Sequence, residues 1–69
     1  MPILKTKIRE LREEKNWNQS DLAEKVGVRR ETISRLEKGE YNPSLKLAMD
    51  IAKELETTVE ELYMFVSIQ

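Results

Sequence analysis

Apolar residues near the amino end fall at Leu4, Ile8 and Leu11, spaced by four and three with charged residues between them. That rhythm predicts a helix over residues 4–15 with a single buried stripe. Asn18 then stands at an N-cap position. Asp21, three places on, can accept a hydrogen bond from the cap's backbone amide, which makes a variant of the capping box. A second helix over residues 19–25 follows, with Leu22, Ala23 and Val26 as its stripe, and Gly27 ends it because glycine tolerates a left-handed backbone.

A third helix begins after Val28. At about 100° per residue, Ile33 and Leu36 point one way, whereas Arg30, Glu31, Ser34, Arg35 and Lys38 gather on the other side. Gly39 stops this helix. In the turn that follows, Pro43 pushes Asn42 toward an extended backbone and Ser44 can cap the next element. Leu45, Ala48, Ile51, Ala52 and Leu55 mark a fourth helix over residues 45–55. Thr58 with Glu61 predicts a second capping box, opening a short fifth helix that carries Val59, Leu62 and Tyr63. The tail MFVSIQ, residues 64–69, loses the helical rhythm and is rich in β-prone residues, so it predicts a short strand. The expected fold is all-α: a compact four- to five-helix bundle of local contacts, one domain over residues 1–69.

Composition narrows the chemistry. A chain of 69 residues lies near the lower end of what one apolar core stabilises unaided, so help from a second chain is expected. With no cysteine and no histidine there is no disulfide frame, no thiolate metal site and no imidazole base, and neither cofactor nor metal is expected. The longest apolar run, residues 62–66, is far too short to span a bilayer, and the MPILKTK start lacks the apolar stretch of a signal peptide. The expected location is the cytoplasm.

The formal net charge of −1 conceals an uneven distribution. Residues 1–15 carry a net +2 and residues 29–46 another +2, while residues 16–28 carry −1 and residues 48–69 carry −4. A folded domain with one basic and one acidic side fits a polyanionic partner on the basic side.

Catalysis has little to work with. Glu13, Glu14, Glu24, Glu31, Glu37, Glu60 and Glu61 all fall on helices among lysines and arginines, the setting of solvated carboxylates. No Gly-rich phosphate loop, serine-nucleophile elbow or calcium loop is present, so no enzyme is expected.

The second and third predicted helices, joined at Gly27, form a helix-turn-helix pattern, and the small Ala23 four places before the glycine lets them cross closely. The stretch NQSDLAEKVGVRRETISRLEKGEYNPSLKLAMDIAKEL resembles the helix-turn-helix regulators of the phage Cro and repressor type, the XRE family, over about residues 5–63. The elements that carry the likeness are Gln19, Ala23, Gly27, Ile33, the pair Glu37 and Lys38 before Gly39, and Tyr41-Asn42-Pro43-Ser44. The resemblance implies a lambda-repressor-like DNA-binding bundle and the role of a small transcriptional regulator, a repressor bound to a palindromic operator as a homodimer. It places Gln19 at a phosphate contact and Arg29, Arg30, Glu31 and Arg35 at base-facing positions. Thr32, Lys38, Tyr41 and Asn42 fall nearer the phosphates, and Ser34 lies on the same outward face. It also matches Arg12 and Glu37 to a partly buried salt bridge, which makes them scaffold.

Two departures from the family pattern matter. Arg29 stands where relatives usually have a capping serine, and arginine has no acceptor to offer, so the third helix loses a cap and gains a charge that is either solvated, set against a phosphate or turned to a base. Glu31 stands where many relatives have glutamine; a carboxylate suits a cytosine amino group, or the helix dipole and a neighbouring Arg30 or Arg35. Trp17 is expected to close the bundle by packing.

One such domain reads too few base pairs to find a site alone, and the apolar tail offers a candidate dimer interface built from Leu62, Tyr63, Phe65, Val66 and Ile68. The alternative is that it folds back onto its own helices or pairs with residues 2–4. A different reading of the whole chain, as an antitoxin or a protein-interaction adaptor, uses the same fold with the acidic face as its contact.

Overall fold

The computed structural model describes the backbone of residues 2–67 and the side chains of residues 5–62. The order of elements is β1 (Pro2–Thr6), α1 (Ile8–Glu14), α2 (Gln19–Val26), α3 (Arg30–Glu37), α4 (Leu45–Glu54), α5 (Val59–Leu62) and β2 (Tyr63–Ser67). The helical bundle is the expected one, with α2 packed on both α3 and α4.

The amino end departs from expectation. Leu4 fits the spacing of Ile8 and Leu11, yet residues 2–6 form a strand, and α1 starts only at Ile8. β1 pairs antiparallel with β2 in a register that sets Pro2 opposite Ser67, Leu4 opposite Phe65 and Thr6 opposite Tyr63. The Lys7 amide continues the join by donating to the Leu62 carbonyl at 2.9 Å. A backbone partner some sixty residues distant outweighs local helical spacing, as strand pairing commonly does. The short strand expected in the tail is therefore present, begins at Tyr63, and folds back onto the chain's own amino end. Tyr63 belongs to this strand and not to α5.

Ile8, Leu22, Ile33, Leu36, Ile51 and Leu62 are wholly buried and meet in one cluster with Ala23, Ala52 and Leu55. Each large side chain so buried contributes about 1.5–3 kcal/mol. Leu11, Trp17, Val26, Val28, Leu47 and Val59 pack around this centre. Trp17 closes the bundle as expected, with the ammonium groups of Lys25 and Lys15 at 4.6 and 5.4 Å from its ring centroid.

Caps and stops set the turns. At α2 the Asn18 side chain accepts from the Asp21 amide at 2.7 Å, and Asp21 accepts from the Asn18 amide at 2.8 Å, so the capping box closes in both directions. Ser44 caps α4 through the Leu47 amide at 3.1 Å. At α5 only half of the expected box forms: Thr58 accepts from the Glu61 amide, but the Glu61 carboxylate turns to the Thr57 hydroxyl instead of returning to the cap. Left-handed residues follow four of the helices, namely Asn16, Gly27, Gly39 and Glu56, with φ of 60°, 74°, 73° and 57°. The two glycines adopt this conformation without penalty, whereas a residue with a Cβ such as Glu56 gives up about 1–2 kcal/mol.

Candidate nucleic-acid interface

Gly27 makes the turn between α2 and α3. Its left-handed backbone lets the Val28 amide reach the Ala23 carbonyl at 3.0 Å, and Ala23, only 3% exposed, is small enough for the helices to cross there. Ile33 and Leu36 hold α3 down in the core. The opposite side of α3 is thereby forced outward: Arg30, Glu31 and Arg35 are exposed, Ser34 is half-buried, and Lys38 at the C-cap is exposed.

Arg29 occupies the N-cap of α3 with an extended backbone and no side-chain cap, the consequence expected of an arginine at this position. Thr32 is half-buried in the first turn of α3, while Tyr41 and Asn42 are exposed in the turn before α4, Tyr41 at 44%.

A chain of polar contacts runs from the interior to this surface. The Arg12 guanidinium is only 7% exposed and donates from Nε to Glu37 Oε2 at 2.6 Å, from Nη2 to Glu37 Oε1 at 3.2 Å, and from Nη1 to the Trp17 carbonyl at 2.7 Å. The hydrogen bond to Glu37 raises the Arg12 pKa above its ordinary value, against burial, which lowers it. Gln19, the first residue of α2, donates from Nε2 to the same Glu37 oxygen at 3.0 Å. Its Oε1 accepts from Arg30 Nη1 at 3.3 Å. Arg12, Glu37, Gln19 and Arg30 thus form one continuous network joining α1, α2 and α3.

The family resemblance implies the Arg12–Glu37 pair but not its extension through Gln19. An amide can accept and donate at once, which suits it to stand between a carboxylate and a guanidinium, but no spacing rule points from residue 19 to residues 30 and 37. The expected pairing of Glu31 with Arg30 or Arg35 does not form among the described residues, and Gln19 holds Arg30 instead.

Gln19, Ser34 and Lys38 share a surface cleft of about 300 Å³ with Arg9, Arg12 and Glu37. Arg29, Glu31, Arg35, Tyr41 and Asn42 lie outside it. Of the residues expected at a dimer interface, Leu62 is instead wholly buried in its own core and offers no surface to a second chain. Tyr63, Phe65 and Val66 lie on β2, and Ile68 falls outside the described residues. Among the described residues no cluster of metal-ligating side chains occurs, and no helix is long and apolar enough to cross a membrane.

A helix-turn-helix family profile matches residues 8–62. An HTH-type transcriptional regulator of Archaeoglobus fulgidus is 53% identical over 62 residues, covering 90% of this chain and 89% of its relative. Among solved structures, the restriction-modification controller protein C.AhdI from Aeromonas hydrophila aligns with a TM-score of 0.73 at 33% identity, over 80% of this chain and 83% of that one. SinR, the master regulator for biofilm formation, solved in complex with DNA, aligns with a TM-score of 0.70 at 33% identity, over 77% and 86% of the two chains. The chain belongs to the helix-turn-helix family of the Cro/repressor, or XRE, type. Its fold is that of a DNA-binding transcriptional regulator and not of an enzyme.

Proposed function

We propose that this protein binds specific double-stranded DNA as a small transcriptional repressor, two copies occupying a palindromic operator. The observation that carries the reading is the outward face of α3, where Arg30 and Arg35 stand exposed while Ile33 and Leu36 anchor the helix from beneath. In this reading α3 lies in the major groove. Arg30 and Arg35 each donate two hydrogen bonds to guanine O6 and N7, a contact that discriminates by about 1–3 kcal/mol. Arg29 and Glu31 flank them at the groove edge. Gln19, Thr32, Ser34, Lys38, Tyr41 and Asn42 bear on the phosphates and fix register without reading sequence. That SinR, a structural neighbour, was solved in complex with DNA supports DNA binding by this fold.

The contact between Gln19 and Arg30 gives the interface a rigid element. Holding one guanidinium edge at 3.3 Å leaves the other nitrogens to face the groove with fewer rotamers to lose on binding.

Dimerisation follows from the scale of the task, since half-sites one helical turn apart, ~34 Å, need two recognition helices. An isolated two-stranded ribbon is marginal in water, and β1 and β2 each leave an edge that a second copy can extend. Tyr63, Phe65 and Val66 sit on that ribbon. A mass measurement at micromolar concentration tests it: twice the chain's 8.1 kDa is expected, and a monomer with and without operator would remove the dimer from the reading.

Binding to random and selected duplexes at two salt concentrations tests the function. With 6–10 phosphates contacted, affinity should fall by about 10³–10⁵ between 50 and 200 mM salt. A chain that binds no duplex even at low salt would instead be a protein-interaction module.

A further inference from the structure

The two outer edges of the β1–β2 ribbon are not equivalent. The Lys7 amide donates to the Leu62 carbonyl, and the register sets Lys5 opposite Met64 and Ile3 opposite Val66, so hydrogen bonds close the ribbon at these pairs. The alternate residues turn their backbone groups away from the ribbon: Pro2, Leu4 and Thr6 along β1, and Tyr63, Phe65 and Ser67 along β2. Pro2 has no N–H to present, and β1 also carries the exposed Lys5, the two features with which edge strands discourage further pairing. β2 reads YMFVS, with no charge and no proline. The described residues place two strands in this sheet, so a β-prone edge is left without the guards that its neighbour has.

We infer that the β2 edge is where two copies of this chain join, β2 running antiparallel to β2 of the second copy with Phe65 on the two-fold axis. The inference rests on the dimer proposed above and names the surface that forms it. With Phe65 at the axis, the two Phe65 residues exchange amide and carbonyl, and Tyr63 faces Ser67 of the partner subunit, so each outward amide meets an outward carbonyl. The same operation on β1, centred on Leu4, sets Pro2 against Thr6 and leaves both Thr6 carbonyls without a donor. A sheet joined through β2 runs β1, β2, β2, β1 and ends on the proline-guarded edge at both sides. Assembly therefore closes at two copies and does not continue as a filament.

The test measures the dimer dissociation constant by sedimentation over a dilution series for the wild type, Phe65→Pro, Leu4→Pro and Phe65→Tyr, with helical content followed by circular dichroism. Neither proline removes a hydrogen bond inside the ribbon, because both amides face outward. Phe65→Pro should raise the constant by roughly 10- to 100-fold, the equivalent of the two hydrogen bonds exchanged at the axis. Leu4→Pro, on the guarded strand, and Phe65→Tyr, which keeps amide and ring, should stay near the wild-type value. Amide exchange in the wild-type protein reads the same edge without a substitution. The Phe65 and Ser67 amides should exchange slowly in the dimer and quickly on dilution to monomer, whereas the Leu4 amide should exchange quickly in both. A wild-type constant in Phe65→Pro, an equal weakening in Leu4→Pro, or fast exchange at Phe65 in the dimer overturns the β2 join while leaving the dimer in place. A wild type that stays at 8.1 kDa at every concentration overturns both.

Discussion

Replacing Glu37 with alanine removes the carboxylate that receives two bonds from Arg12 and one from Gln19, and leaves a guanidinium that is 7% exposed with the Trp17 carbonyl as its remaining partner. Breaking a buried ion pair from one side costs about 3–5 kcal/mol, because the surviving charge stays in a poorly solvating place. A domain of 69 residues at about 0.05–0.15 kcal/mol per residue has roughly 3–10 kcal/mol in all, so Glu37→Ala should unfold a large fraction of the protein or bring it to the edge of unfolding. The double variant Arg12→Met/Glu37→Met should be more stable than Glu37→Ala, since an apolar pair of similar volume leaves no stranded charge. Trp17, the single tryptophan, packs beside the pair and reports the transition by fluorescence during urea titration. A loss under 1 kcal/mol for Glu37→Ala, or a double variant no better than the single, would show that the pair is solvated in solution and would refute its role as the tie between α1 and α3.

Two further substitutions test the turn and the start of the recognition helix. Gly27→Ala meets no atom within 4 Å of the new Cβ, so its whole cost is the left-handed backbone at φ 74°; calorimetry should show a loss of about 1–2 kcal/mol. Arg29→Ser supplies the acceptor that the α3 N-cap lacks and should raise stability by about 1 kcal/mol, a melting shift of about 4–8 °C, while DNA affinity falls with the lost cation.

Most of the bundle could be read in advance because its information is local. Leu22, Ala23, Ile33, Leu36, Ala48, Ile51, Ala52 and Leu55 repeat at helical intervals and are all buried, and Asn18, Ser44, Gly27 and Gly39 mark caps and stops by their own chemistry. The amino-terminal strand was hidden because Leu4 satisfies a helical spacing and its real partner, Phe65, lies at the far end of the chain. Asn16 and Glu56 end their helices in the conformation of a glycine without being one, so composition gave no signal there. Within the interface, the outward set on α3 followed from periodicity, whereas the bridge from Glu37 through Gln19 to Arg30 depends on where three helices cross, and Arg9 joins the cleft only once α1 is placed beside α3.

The central claim is that the guanidinium face of α3 reads base identity. Sequences bound by the wild type and by Arg35→Ala should be selected from one random duplex pool and compared position by position. The account predicts a two-fold symmetric motif for the wild type, and for the variant the same motif with preference lost at a single base pair in each half. A variant motif identical to the wild type's, with affinity reduced equally on every sequence, would place Arg35 on a phosphate and contradict the claim.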